Sequence, residues 1–184
     1  MFVIPSYKAL IENWKEKQSQ LLQLCDSIEF DNFKSEATTS FYKKDENVKH
    51  NVTEGVVNIL KRDIQKFGKE FDLRNLSVDY AWFQKYNDGQ FHVPHNHGSR
   101  GWSCIVYVKF DPTVHSATQF IAPFNGLTGD TIVRKPEVTE GTILFFPSML
   151  LHFVSPTDTD KTRIILSFNL KEQGKMKKQY YFAL

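Results

Sequence analysis

The first third of the chain carries apolar residues at helical spacing. One stripe runs from Ser6 to Ile28 and another from Val52 to Phe71, each repeating at close to 3.6 residues. Asn51 and Glu54 fit a capping-box-like start for the second stripe. Residues 29–50 between the stripes are polar and aperiodic. The pattern predicts two amphipathic helices, each of which needs an apolar surface to cover.

From Leu76 onward the apolar residues alternate with polar ones, which is the spacing of strands. Gly, Asn, Asp and Pro turn signals separate most of the segments. Eight strands are predicted, at 76–86, 90–97, 103–110, 118–124, 131–138, 141–147, 151–155 and 162–170. Such a run of short strands predicts a mainly β fold, either a sandwich or a jelly-roll barrel, with the N-terminal helices packed on one sheet.

The length of 184 residues suits one domain with a proper core. We expect a single domain over 1–184. It divides into a mainly helical flanking region at 1–75, a jelly-roll core at 76–170 and a C-terminal tail at 171–184.

Two predicted strands are apolar on one face and mixed polar on the other. If the apolar faces pack under the helices, the polar faces line a cavity; otherwise the polar faces meet solvent, as is usual in antiparallel sheets. The apolar sets are Cys104, Val106, Val108 and Phe110, and Ile164, Leu166, Phe168 and Leu170. The polar sets are Ser103, Ile105, Tyr107 and Lys109, and Arg163, Ile165, Ser167 and Asn169.

Charge and cysteine content narrow the class of protein. The net charge of +2 gives no electrostatic footprint for nucleic acid or an anionic membrane. Cys25 and Cys104 lie in apolar-periodic segments and are expected to be buried free thiols in a reducing compartment. With an N-terminus that does not read as a secretory signal, the expected location is the cytoplasm.

His95 and His97 stand two residues apart on a predicted strand. Residues at that spacing point the same way, with Cα atoms about 6.5–7 Å apart. Two imidazoles can then lean onto one metal ion at about 2.0–2.1 Å per nitrogen. Surface loops also contain such pairs by chance, so a third ligand is needed to strengthen the interpretation. His92 has the wrong parity on the same strand.

His152 and Arg163 each follow or begin a strongly apolar strand. His152 is either a core histidine with satisfied hydrogen bonds or the third metal ligand. Arg163 on an inward face must be paired, because an isolated buried charge is too costly. A bound carboxylate would pair with it through a bidentate fork, and a rim salt bridge with Asp158 or Asp160 is the alternative.

These motifs, in this order, resemble those of the Fe(II)/2-oxoglutarate-dependent oxygenases, most closely the prolyl-4-hydroxylase-like branch. The resemblance covers about 76–170. It is carried by "YNDGQFHVPHNH", by "RGWSCIVYV" and by "GTILFFPSMLLHFVSPTDTDKTRIILSFNL". A group of such oxygenases from marine bacteria and their phages is also similar, because its first motif reads His-x-His. The resemblance implies a double-stranded β-helix, Fe(II), O2 and 2-oxoglutarate as co-substrate.

By this resemblance, His95, His97 and His152 would be the metal ligands. Arg163 and Tyr107 would bind the far carboxylate of 2-oxoglutarate, with Ser167 assisting Arg163 and Tyr86 as a second co-substrate contact. No catalytic residue beyond the metal ligands is implied.

The main departure from the family is His97, where most members have Asp or Glu. His97 is kept as a ligand because its parity is right and no carboxylate lies within two residues of His95. Asp88 or a water in the carboxylate's place is the alternative.

The resemblance implies hydroxylation of an unactivated C–H bond, with release of succinate and CO2. The substrate would be a prolyl or other peptide side chain, a free amino acid or another small molecule. Two alternatives stay open: a three-histidine cupin-like metalloenzyme that does not use 2-oxoglutarate, and a non-catalytic jelly-roll binding module. No nucleic-acid or membrane partner is expected.

Overall fold

The computed structural model describes residues 5–30, 36–42 and 45–172, which form two helices and ten strands. The helices are α1 (Trp14–Asp26) and α2 (Glu46–Glu70). The strands are β1 (Tyr7–Leu10), β2 (Thr38–Thr39), β3 (Leu76–Tyr86), β4 (His92–His95), β5 (Trp102–Lys109), β6 (Gln119–Asn125), β7 (Thr131–Arg134), β8 (Thr142–Pro147), β9 (His152–Val154) and β10 (Arg163–Glu172).

The strands form two antiparallel sheets that face each other. The larger sheet has the order β1-β8-β5-β10-β3-β2 and the smaller one β4-β9-β6-β7. Phe146 of the larger sheet packs against Phe120 of the smaller one, with ring centroids 4.9 Å apart. This mainly β architecture, with helices on one sheet, confirms the predicted fold class.

All eight predicted strands are present, but the first helical stripe is partly wrong. Its first turn, Tyr7–Leu10, is instead an edge strand that pairs with Thr142–Phe145. The backbone hydrogen bonding between these two segments continues at Ile11, whose N–H donates to the carbonyl of Gly141 over 3.0 Å. The free edge of β8 offers hydrogen bonds that a helix at this position would forgo, and α1 therefore begins only at Trp14.

The second helix begins earlier than the capping-box pattern predicts. Its N-cap is Asp45, whose carboxylate accepts from the N–H groups of Asn47 and Val48 over 2.9 and 3.4 Å. Asn51 lies inside the helix, so the predicted start was wrong by a turn and a half. A carboxylate at an N-cap satisfies otherwise unpaired N–H groups, which explains why the polar segment before Val52 is already helical.

The two helices cover the outer face of the larger sheet. α2 buries a stripe at spacings of four and three residues: Val52, Val56, Leu60, Ile64 and Phe67. Phe67 stacks on Phe145 of β8 with ring centroids 4.1 Å apart. α1 packs on α2, where a Cβ at Gly55 would lie 3.0 Å from Leu24, and Lys17 pairs with the buried Asp63 over 2.6 Å.

The face assignment of the central strands is confirmed. Cys104, Val106 and Val108 lie in the helix-side core, and the opposite face of the sheet is buried between the sheets rather than exposed. There are two exceptions: Phe110 lies beyond β5 and packs in the inter-sheet core, and Lys109, at the end of β5, is exposed.

The predicted C-terminal tail begins inside a strand. Lys171 and Glu172 belong to β10, and 173–184 lie outside the described residues. Cys25 and Cys104 are both buried and free, as expected. Within the part of the chain that the structure describes, neither helix has the length and apolar character required to cross a membrane.

Candidate active site

Strand pairing brings His95 and His152 together. They are direct partners in the antiparallel ladder between β4 and β9. Residues opposed in this way have Cβ atoms about 4.5–5.5 Å apart, so their side chains meet on one face. The two imidazole centroids are 4.3 Å apart. A contact between residues 57 positions apart in sequence therefore follows from register alone.

His97 completes the cluster from the loop after β4. Its N–H donates to the carbonyl of Ser148 over 2.9 Å, and Ser148 in turn donates to the carbonyl of Gly101 over 3.1 Å. Gly101 has φ of +90°, and a Cβ there would lie 2.6 Å from the carbonyl oxygen of Leu170. Only glycine allows this loop to lie so close to β10. The His97 ring is consequently held 5.0 Å from that of His152.

The three histidines could hold a metal ion. One ring nitrogen from each lies within 4.8 Å of the others. Two nitrogens bound to one ion at about 2.1 Å can be at most about 4.2 Å apart, so small ring movements suffice to close the site. Imidazole nitrogens suit Fe, Zn, Ni and Cu.

Hydrogen bonds fix which nitrogen of each ring is free. Nδ1 of His95 donates to the carbonyl of Val93 over 2.8 Å, and Nδ1 of His152 donates to that of Leu150 over 2.9 Å. Nδ1 of His97 donates to Oδ1 of Asn169 over 2.8 Å. Since these oxygens can only accept, each neutral ring carries its proton on Nδ1 and leaves the Nε2 lone pair free.

Burial keeps the imidazoles neutral. It lowers the pKa of His152 to about 3, with the nearby histidines adding to the effect, and it also lowers the pKa values of His95 and His97. A neutral imidazole is the form that binds metal. The cluster is thus in its ligating state at neutral pH.

His92 also joins this group, although its parity predicted otherwise. Its ring stacks on His95 with centroids 4.0 Å apart, because the β4–β9 register shifts between His92 and His95. Pro94, which has no N–H for the ladder, was the sequence signal for that irregularity. Nδ1 of His92 faces Nε2 of Gln84 at 3.0 Å and so accepts a hydrogen bond, the opposite of its three neighbours. His92 therefore carries its proton on Nε2 and is suited to donate a hydrogen bond rather than to bind metal.

Arg163 begins β10, on the sheet face that packs toward the smaller sheet. It is 2% exposed and lies opposite Tyr86 in the ladder, with its guanidinium carbon 4.4 Å above the Tyr86 ring. Nη2 donates to Oγ1 of Thr118 over 3.3 Å. Nε, Nη1 and the Tyr86 hydroxyl are buried without a partner among the described residues. The predicted alternative of a salt bridge with Asp158 or Asp160 is not formed, and among the described residues no ion pair involves Arg163.

Tyr107 and Thr118 line the same pocket. Tyr107 is fully buried, and its hydroxyl oxygen accepts from the N–H of Thr118 over 3.2 Å, which leaves its own O–H free to donate. Burial raises the pKa of Tyr86, so that hydroxyl also stays a neutral donor. Thr118 was missed from the sequence, where nothing distinguishes it from other strand threonines.

Ser167 and Asp88 are less close to these groups. Ser167 shares the inward face of β10 with Arg163 but lies about 13 Å further along the strand, in register with Trp82 and Ile105. Asp88 accepts from the N–H of Thr159 over 3.1 Å and is not part of the three-histidine cluster.

The described residues thus hold a metal-ligating cluster and a buried guanidinium between the two sheets. A buried guanidinium with two unpartnered nitrogens, Nε and Nη1, and two tyrosines beside it calls for an oxyanion. Three convergent Nε2 atoms call for a divalent ion. The described residues thus fit an iron bound together with a dicarboxylate.

Comparison with known proteins agrees with this chemistry. A family described as "Putative 2OG-Fe(II) oxygenase" matches residues 80–169, which include every predicted site residue. A search of curated protein sequences finds no match.

Several solved structures share the fold. An oxidoreductase of the 2OG-Fe(II) oxygenase family from Burkholderia pseudomallei is 12% identical, with a TM-score of 0.68 over 91% of this chain and 85% of that one. A prolyl-4-hydroxylase from Pseudomonas putida is also 12% identical, with a TM-score of 0.60 over 93% and 94% of the two chains. HygX from Streptomyces hygroscopicus, solved with nickel and 2-oxoglutarate, is 10% identical, with a TM-score of 0.67 over 92% and 84%.

The sequence match, the shared double-stranded β-helix and the metal-ligating cluster agree with one another. Residues 80–169 of this chain match a family of Fe(II)/2-oxoglutarate-dependent oxygenases, enzymes that use Fe(II), 2-oxoglutarate and O2, and the chain shares the fold of such enzymes.

Proposed function

We propose that this protein is a 2-oxoglutarate-dependent oxygenase that hydroxylates an unactivated C–H bond, with His95, His97 and His152 as the three protein ligands of Fe(II). The observation that carries the proposal is the buried guanidinium of Arg163, with Nε and Nη1 unpartnered among the described residues, between the same two sheets as three imidazoles with free Nε2 atoms. Bound iron and co-substrate would supply the oxidising chemistry that turns O2, 2-oxoglutarate and R–H into succinate, CO2 and R–OH.

The protein's part in this reaction is binding and orientation. Arg163 presents two N–H groups to the far carboxylate of 2-oxoglutarate, and the hydroxyls of Tyr86 and Tyr107 donate to the same group. Thr118 takes one of the two N–H groups of Nη2, so the second can form a bidentate contact together with Nε or Nη1. Ser167 lies on the same inward face of β10, about 13 Å from Arg163, and is kept as a proposed co-substrate contact away from the far carboxylate.

Aromatic walls keep the reacting end dry. Phe146 is 1% exposed, and its ring lies 5.0 Å from that of His152. Phe120 lies 6.0 Å from His152 on the opposite sheet. Excluding water in this way strengthens the electrostatic grip on the co-substrate and limits side reactions.

The substrate is proposed to be a prolyl or other peptide side chain, with a free amino acid or small metabolite next. Trp82 lies 5.3 Å from His97 and stacks on Tyr80, and the half-exposed Phe41 contacts both rings. Such a surface suits the ring of a proline or another compact apolar group. Among proteins of this fold, one prolyl hydroxylase was solved with a peptide of hypoxia inducible factor and HygX with hygromycin B.

The expected location is a reducing compartment such as the cytoplasm. Both cysteines are free, and burial raises the pKa of Cys25 to about 11. Neither is prepared for disulfide chemistry.

The test is anaerobic mixing of metal-free protein with Fe(II) and 2-oxoglutarate. A visible metal-to-ligand charge-transfer band should appear and should decay when air is admitted, with release of succinate. Absence of both the band and succinate would overturn the proposal.

A second candidate is a three-histidine metalloenzyme that does not use 2-oxoglutarate. The absence of a carboxylate from the described metal cluster favours it. The two candidates separate on one binding measurement: the oxygenase binds 2-oxoglutarate through Arg163, whereas the alternative binds metal but not the dicarboxylate. Failure of the purified protein to bind any divalent metal would instead indicate a non-catalytic module.

A further inference from the structure

A small polar cluster lies behind His97, on the side away from the other imidazoles' free nitrogens. Ser103 is fully buried, Ser148 is 2% exposed, and Asn169 is half-buried. The Ser103 hydroxyl lies 2.9 Å from both the Ser148 hydroxyl and Oδ1 of Asn169, and 3.1 Å from Nδ1 of His97. Four polar groups from four separate segments therefore meet behind one imidazole.

This cluster differs from what supports the other two histidines. His95 and His152 each donate to the carbonyl two residues earlier in their own segment, a contact that local backbone geometry supplies. His97 lies beyond the end of β4, and the acceptor of its Nδ1–H is the side chain of Asn169, 72 residues away. The orientation of one ligand thus depends on a specific side chain, whereas that of the others does not.

The amide orientation of Asn169 decides whether His97 can bind metal. With Oδ1 toward the ring, Nδ1 carries the proton and Nε2 is free. With the amide reversed, Nδ1 would have to accept, the proton would move to Nε2, and the ligand position would be blocked. The structure has the first orientation, in which Oδ1 of Asn169 lies 2.8 Å from Nδ1 of His97 and 2.9 Å from the Ser103 hydroxyl, which can donate to it.

Resting on the proposed function, we propose that Asn169 is a positioning residue, which with Ser103 fixes His97 in the metal-binding tautomer. Its role is exerted through His97 and not on substrate. Oxygen acceptors behind ligating histidines set tautomer and ring orientation in this way, and their loss costs about 10- to 100-fold in metal affinity.

The first readout is the tautomer of His97 in metal-free protein, measured by long-range ¹H–¹⁵N NMR of the imidazoles. Wild type and Asn169→Asp, which keeps an acceptor oxygen in place, should show the proton on Nδ1. Asn169→Leu should shift His97 toward the Nε2–H form, while His95 and His152 stay unchanged. Lys171→Ala, on the same strand and paired with Asp79 at the surface, is the matched control.

The second readout is affinity for Co(II) in competition with a chelator. Asn169→Leu should bind about tenfold more weakly, and the double variant with Ser103→Ala should approach about 100-fold, since Ser103 can partly replace the lost acceptor. Asn169→Asp should stay within a few-fold of wild type. Should Asn169→Leu not fold by circular dichroism, Asn169→Ala replaces it with the same expectation.

Two outcomes overturn the inference: wild-type His97 protonated on Nε2, or Asn169→Leu and the double variant with unchanged tautomer and Co(II) affinity. If the proposed function itself is wrong, the two readouts give a different result. In that case wild type binds no Co(II), while the His97 tautomer still responds to Asn169→Leu.

Discussion

The two faces of the six-stranded sheet have opposite characters although the same strands build both. Toward the helices, β5 presents Cys104, Val106 and Val108, all at most 1% exposed, in a continuous apolar core. Toward the small sheet, the alternate residues Ser103 and Tyr107 are just as buried. The helix-side face contributes close apolar packing. The face toward the small sheet carries polar groups, each of which needs a particular hydrogen-bond partner.

The difference shows how this fold separates stability from chemistry. On the helix side many apolar side chains could occupy each position if volume is kept, because dispersion and burial are not directional. On the inner side each polar group requires a particular partner, and Arg163 retains two unpaired N–H groups. Substitutions on the two faces should therefore be distinguishable by what they change.

The largest expected effect is that of Arg163→Ala on 2-oxoglutarate binding. Truncating one partner of a buried charged pair costs about 2–5 kcal/mol, which is about 30-fold to several thousand-fold in affinity. Calorimetric titration of the Co(II)-loaded protein measures it. Metal affinity should stay unchanged, because the guanidinium touches none of the three imidazoles in the described contacts.

Lys161→Ala is the control for Arg163→Ala, since it removes a positive charge two residues away at the surface, where Lys161 pairs with Asp111. It should leave 2-oxoglutarate affinity intact. Equal losses in both variants would mean that general charge, not the buried fork, attracts the dicarboxylate.

Phe67→Ala tests the other face. Phe67 is fully buried, stacks on Phe145 and lies 5.0 Å from the Trp102 ring. Its truncation should lower the free energy of unfolding by about 3–5 kcal/mol, measured by urea denaturation. Asn58→Ala, on the exposed side of the same helix, should change it by less than about 0.5 kcal/mol.

The functional readout for Phe67→Ala is 2-oxoglutarate affinity in the folded protein, which should match wild type. A large loss there, at a temperature where the variant is fully folded, would show that the helix-side core positions the pocket and would break the proposed separation.

Sequence patterns predicted the sheet far better than its edges. Period-two alternation located β3 to β10 and assigned the faces of β5 and β10, since a strand's alternation depends only on which side is buried. The first strand was missed because Tyr7–Leu10 fits a helical stripe equally well. Only the unpaired edge of β8, a tertiary feature, decides between the two.

Site residues could be predicted where a sequence motif or an inward charge distinguished them. They could not be predicted where strand register or tertiary packing alone places them in the site. His95, His97, His152 and Arg163 were identified because histidines at strand spacing and an inward arginine are unusual. His92 was excluded because its parity on a regular strand points it to the opposite face from His95. The register shift beside Pro94 brings it to the same face instead. Asn169 was placed on the inner face, but its contact with His97 spans two sheets and has no local signature.

Tyr86→Phe should have opposite effects on binding and stability. The Tyr86 hydroxyl is buried without a partner in the described structure, so its removal should leave the metal-free protein as stable or up to about 1 kcal/mol more stable. In the complex it donates to a carboxylate, a contact worth about 1.5 kcal/mol or more, and 2-oxoglutarate should bind about tenfold more weakly. Thermal unfolding and calorimetry measure the two. A destabilised variant with normal affinity would show that the hydroxyl serves the fold instead.

The smallest expected effect is that of Thr118→Val. Thr118 Oγ1 holds Nη2 of Arg163 over 3.3 Å, which is long for a hydrogen bond, while its N–H contact with Tyr107 is a backbone contact and survives the substitution. Valine keeps the shape of the side chain but leaves Nη2 unpaired, so the guanidinium is less firmly oriented and 2-oxoglutarate should bind about three- to fivefold more weakly. Thr118→Ser restores the oxygen and should recover most of the affinity. If serine instead weakens binding and valine does not, the methyl group's packing would be what matters, and volume would outweigh polar pairing even on the inner face of the sheet.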